Sequence, residues 1–105
     1  MTQSFAAAVE ECLQGLLEQI EAQAPEVEAD LIDSVLSLRL PDDSEIILNR
    51  QEAVEQIWLA CSDGPARFDR NAAGSWVDSR SGQTLPAYLG RILQQRLGQP
   101  VALES

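Results

Sequence analysis

The sequence predicts an α+β fold, a two-layer α/β sandwich. N- and C-terminal helices pack on one face of an antiparallel sheet of five to six strands. Three observations carry this. Apolar residues recur at helical spacing near both ends of the chain. The segments between them alternate with a period of two and are separated by clusters of turn residues. At 105 residues and 45% apolar content, the chain suits one domain spanning 1–105, with a modest core and no crosslinks.

The first helix is "SFAAAVEECLQGLLEQIEAQ", with Ser4 as its N-cap and Pro25 ending it. On a helical wheel Phe5, Val9, Cys12, Leu13, Leu16, Leu17 and Ile20 fall within ~140° of arc. Glu10, Glu11, Glu18 and Glu21 gather on another side, so the helix has a core stripe and an acidic stripe. "EVEADLID" then reads as the first strand, its alternating Glu26, Glu28 and Asp30 projecting to one side, with Asp33 adjoining.

"SVLSLRL" opposes Val35 and Ser37 to Leu36 and Leu38, and "PDDS" turns it into "EIILNRQ" as a hairpin. In "QIWLAC" the strand period puts Ile57, Leu59 and Cys61 on one face and Gln56, Trp58 and Ala60 on the other. "SDGP" and "NAAG" are turns that bound "ARFD" and "SWVDS", and "RSGQ" closes the sheet. The second helix has Thr84 as cap and Pro86 in its first turn. Leu85, Tyr88, Leu89, Ile92, Leu93 and Leu97 line its apolar side, and Gly98 with Pro100 stops it. "VAL" at 101–103 is an apolar tail that must pack against something.

Charge narrows the function. The net is −10, with no lysine or histidine and seven arginines as the whole basic complement. Residues 1–38 hold eight acids and no basic side chain, so most of the excess lies in the first third. Such a field repels nucleic acid and anionic membranes and attracts cations or basic proteins. No apolar run reaches the ~20 residues of a membrane span, and no signal peptide is evident. Cys12 and Cys61 form no CxxC motif, which fits two reduced, buried thiols in a cytoplasmic protein.

Without histidine, serine–histidine and cysteine–histidine catalysis are excluded, and no phosphate loop is present. The chain reads as a non-enzyme. Its carboxylate surface suits hard cations held weakly, since scattered acids form no closed cage. A solvated acidic face that only aids solubility is the plain alternative. Against it, ordinary solvated helices interleave Lys or Arg with their acids.

Two helices cover only one sheet face, which leaves Trp58 outward, whereas Trp76 reads as core. Asn49 and Gln51 share a face of the preceding strand, Gln56 shares Trp58's face, and Arg67 on the next strand can complete the group. One aromatic anchor among amides and an arginine has the composition of a protein-binding hot spot.

The order of parts, with "LNRQEAVEQIWLACSDGPARFD" and "SWVDSRSGQTL", resembles the frataxin family in its bacterial CyaY type, from Phe5 to Leu103. The resemblance implies the same sandwich and an iron-binding regulator or chaperone of iron–sulfur cluster assembly. It implies weak Fe²⁺ or Fe³⁺ binding at Glu10, Glu11, Glu18, Glu21, Glu26, Glu28 and Asp30, with Asp33 beside them. It implies docking on a cysteine desulfurase and its scaffold protein through Asn49, Gln51, Gln56, Trp58 and Arg67. A monomer without iron and no organic cofactor are expected. The chain departs from relatives in having "AQAP" (Ala22–Pro25) where they cluster more acids, and in lacking a histidine near the ridge. The competing reading is an acidic interaction module that modulates a basic partner enzyme without metal. An iron oxidase would need turnover with oxygen at a His/Glu centre, and the chain has no histidine.

Overall fold

The structure, a computed structural model, describes residues 4–104. Helix α1 (Phe5–Gln23) is followed by six strands: β1 (Glu28–Ile32), β2 (Val35–Arg39), β3 (Glu45–Gln51), β4 (Gln56–Ala60), β5 (Ala66–Arg70) and β6 (Trp76–Asp78). Helix α2 (Leu85–Leu97) closes the order. The strands form one antiparallel meander in sequence order, β1 through β6. The predicted two-layer architecture is what forms.

Both helices start where side chains meet orphan backbone donors. Ser4 Oγ accepts from Ala7 N at 3.2 Å, and Thr84 Oγ1 accepts from Ala87 N at 3.4 Å. Gly98, at φ 70°, ends α2 in the left-handed conformation that glycine adopts without steric cost. The covered sheet face meets the helices through Leu36, Leu38, Leu48, Ile57, Leu59 and Phe68, all fully buried. Val9, Leu13, Leu16 and Ile20 answer from α1, and Leu85, Leu89, Ile92 and Leu93 from α2. Each such side chain contributes about 1.5–3 kcal/mol by leaving water. Trp76 is core as expected, edge-to-face against Phe5 at 5.9 Å between ring centroids.

The apolar tail packs between the helices. Val101 is buried and Leu103 rests on the core. Two glutamines one helical turn apart on α1 hold the tail's backbone. Gln23 donates to Ala102 O at 2.6 Å and accepts from Ala102 N at 2.8 Å. Gln19 does the same with Glu104, at 2.5 and 2.7 Å. Gly90 makes room on α2, because a Cβ there would stand 3.3 Å from the Val101 carbonyl oxygen.

At the sheet end where α2 finishes, Arg96 ties two turns together. It reaches Asp63 at 3.0 Å and Asp42 at 3.6 Å, and donates to Ser62. Hydrogen bonds from the Ser44 hydroxyl and backbone, then the Arg96 charge, hold the Asp42 carboxyl below the usual carboxylate range.

Three local expectations change. Glu26 lies in the turn before β1, because the chain leaving α1 buries Val27 before it becomes extended. Asp33 belongs to a two-residue turn with Ser34, both at positive φ (51° and 63°), which matches the twist of the paired strands. Strand β4 stops at Ala60, so Cys61 sits past it, its Sγ 3.7 Å from the Gly64 carbonyl oxygen. "RSGQ" follows β6 as a turn built around buried Asp78, which accepts from Arg80 N and Ser81 Oγ. Both cysteines are free and only part-buried.

Candidate functional site

Register alone assembles the Trp58 group. Asn49 lies opposite Trp58, Gln51 opposite Gln56, and Trp58 opposite Arg67. Side chains opposite one another across a ladder share a face, so all five project from the open side of the sheet. The tryptophan is fixed in place. Its indole N–H donates to Gln56 Oε1 at 2.8 Å, and Gln56 Nε2 donates to Asp69 Oδ1 at 3.0 Å. The Arg67 guanidinium lies 4.7 Å from the ring centroid, in cation–π contact. Asp69, one register step from Trp58, is the member that sequence reasoning missed. Its signal was the strand alternation that puts it on Arg67's side of β5.

A second cleft-forming group adjoins the ring. Ile47 and Ala60, paired across β3 and β4, floor an apolar cleft of about 380 Å³ walled by Trp58 and Pro65. A large half-buried ring beside an apolar hollow is the physical form of a contact hot spot.

The acidic residues are arranged differently. Glu10, Glu11, Glu18 and Glu21 are exposed on α1, and Glu28 and Asp30 are exposed on the open face of edge strand β1. Glu26 and Asp33 are exposed in the turns at either end of β1. Since α1 packs on the covered face of β1 and β2, the acids wrap around the sheet edge in two rows. Glu18 accepts from Gln14 at 3.1 Å. Among the described residues, no three carboxylates or thiols stand close enough to hold one metal ion.

Cys12, next to Glu11, offers no soft donor at neutral pH. Burial, and then the Glu11 charge, push its thiol up to about 12. The ridge is thus a field of negative charge with individual oxygen donors. It concentrates cations near the sheet edge without a preformed cage.

Among the described residues no helix is long and apolar enough to cross a membrane.

Comparison with known proteins adds a lineage to this geometry. Residues 1–99 match the family model described as a frataxin-like domain. A protein of Thioalkalivibrio sulfidiphilus named iron-sulfur cluster assembly protein CyaY is 39% identical over 103 residues, covering 95% of this chain and 96% of its own. The protein of the same name from Ralstonia nicotianae is 36% identical, covering 98% and 95%. Among solved structures, frataxin from Psychromonas ingrahamii superposes with a TM-score of 0.89 at 28% identity, covering 96% and 95%. Trimeric yeast frataxin complexed with ferrous iron gives 0.71 at 28% identity, covering 94% and 89%. With the sheet, the two helices and the full-length match in agreement, the chain belongs to the frataxin-like family.

Proposed function

We propose that this protein is a non-catalytic, iron-binding regulator of iron–sulfur cluster assembly. Its ridge holds iron weakly, and its open sheet face docks on a cysteine desulfurase–scaffold complex. The assembled Trp58 group carries the reading. A tryptophan held by Gln56, stacked by Arg67 and set beside an apolar cleft is costly to leave in water unless another surface covers it. The names of its relatives and the ferrous complex of the yeast protein support the pathway and the metal.

The test is the affinity of the full chain for the desulfurase–scaffold complex, with and without Trp58→Ala. Loss of about a hundredfold is expected, in the range of an aromatic hot spot, with the melting temperature nearly unchanged. Equal affinity would remove Trp58 from the interface. Iron is checked by NMR titration, in which shifts or broadening gather in residues 10–33.

One observation favours a second reading, an acidic interaction module that works without metal. The described acids form no three-ligand group. Binding that falls with salt and ignores both iron and chelator would select it.

A further inference from the structure

We propose that Arg67 and Arg80 form an anion-binding notch beside the Trp58 cleft. The notch receives an extended partner segment carrying a carboxylate next to an apolar side chain. This rests on the docking reading above and gives it a local chemistry.

In a chain of net charge −10, arginines readily find acids. Arg39 pairs with Glu45 at 3.9 Å, Arg50 with Glu52 at 3.2 Å, and Arg96 with Asp63 and Asp42. Arg91 lies over the Tyr88 ring and donates to Gln83, and Arg70 is also engaged. Arg67, which lies over the Trp58 ring as Arg91 lies over Tyr88, and Arg80 are set apart by sharing one cleft. Among the described residues, neither guanidinium has a carboxylate within ion-pair distance. Both are exposed, and both line one cleft of about 360 Å³.

Local acids do not quench this cleft. Asp78 also lines it, but the carboxylate is buried and accepts from Arg80 N and Ser81 Oγ within its own turn. Asp69 accepts from Gln56. Within the lining two arginines stand against one buried aspartate, and Asp69 lies outside it, directed at Gln56, so the notch itself is cationic on an otherwise acidic molecule. A guanidinium matches a carboxylate with paired, charge-assisted hydrogen bonds.

The second half follows from adjacency. The cationic cleft and the apolar one share Pro65, Ala66 and Arg67. A single extended segment therefore spans both, placing its carboxylate between Arg67 and Arg80 and an apolar neighbour against Trp58, Ile47 and Ala60. The partner is basic toward the ridge and acidic at this one point, which fixes its orientation on the sheet.

The test is the affinity for the desulfurase–scaffold complex of the parent chain, Trp58→Ala, Arg80→Glu and Arg80→Lys, at physiological salt. Arg80→Glu weakens binding by about tenfold or more, and Arg80→Lys stays within about threefold of the parent. Attraction between an acidic protein and a basic partner predicts the opposite sign, because Arg80→Glu adds negative charge. If Trp58→Ala weakens binding while Arg80→Glu leaves it equal or tighter, the notch is overturned and the docking face stands. If neither variant matters, both fall. Should Arg80→Glu melt early, Arg80→Gln gives the same reading with a loss of about threefold.

Discussion

The Trp58 face and the acidic ridge are built on opposite plans. On the sheet face each side chain has a position. Register sets Asn49, Trp58 and Arg67 in line, and hydrogen bonds through Gln56 to Asp69 fix the indole. On the ridge, eight acids point into solvent from a helix, a strand and two turns, and no three of those described share a metal-sized space. One region therefore works by geometry and the other by quantity of charge. Exchanging any single ridge acid should matter little, whereas exchanging a single member of the Trp58 group should matter much.

After Trp58→Ala, the comparison can be broken where the next largest effect is expected. Replacing Glu10, Glu11, Glu18 and Glu21 together with glutamine should slow association with the desulfurase–scaffold complex by about thirtyfold at low salt. Stopped-flow rates should converge with those of the parent as salt rises past the Debye regime. A single substitution that reproduces the whole loss would show that the ridge contains a specific contact after all.

Gln56→Leu is the next lever, since it frees the indole N–H and strips Asp69 of its donor. Affinity should fall by about three- to tenfold, the range of one or two net hydrogen bonds. In NMR spectra the Trp58 indole resonance should move and exchange faster with solvent, while that of buried Trp76 stays put. An unmoved Trp58 signal would mean that sheet packing alone orients the ring.

The smallest effect concerns Cys12, which borders the ridge at Glu11. Cys12→Ser should change iron affinity by less than about twofold at pH 7, because a protonated thiol is not a ligand. The linked stability runs downward with alkali. The unfolded thiol loses its proton near its ordinary value while the folded one holds its proton to about 12, so the contribution is full below pH 9.0 and fades between 9.0 and about 12. Alkaline denaturation of Cys12→Ser should show a shallower decline across that window.

How far the sequence could be read follows the same division between local and distant causes. The helices, their caps at Ser4 and Thr84, and the outward face of Trp58 were legible because each depends on residues within one turn or one pleat. The Asp33–Ser34 turn was not, since it lacks the glycine that usually marks a pair of positive φ angles. Nor was the short 3-10 turn at Glu52–Val54, which ends on Glu55 in a left-handed conformation uncommon for non-glycine residues, with glutamate not among the types enriched there. The ridge was readable as composition but not as two separate rows, because its spacing depends on how α1 crosses the sheet edge. Arg80 carried no signal at all. The role proposed for it rests on a guanidinium with no carboxylate within ion-pair distance among the described residues, which only the folded chain reveals.

The paired glutamines of α1 have a consequence for motion. Gln19 and Gln23 present donor and acceptor to Ala102 and Glu104 much as a neighbouring strand would. Residues with no helix or ladder of their own thus acquire a ladder made of side chains. Their amide protons should exchange with deuterium on the timescale of opening α1, well beyond that of a fraying tail. By that clock the last stretch of chain belongs to the first helix.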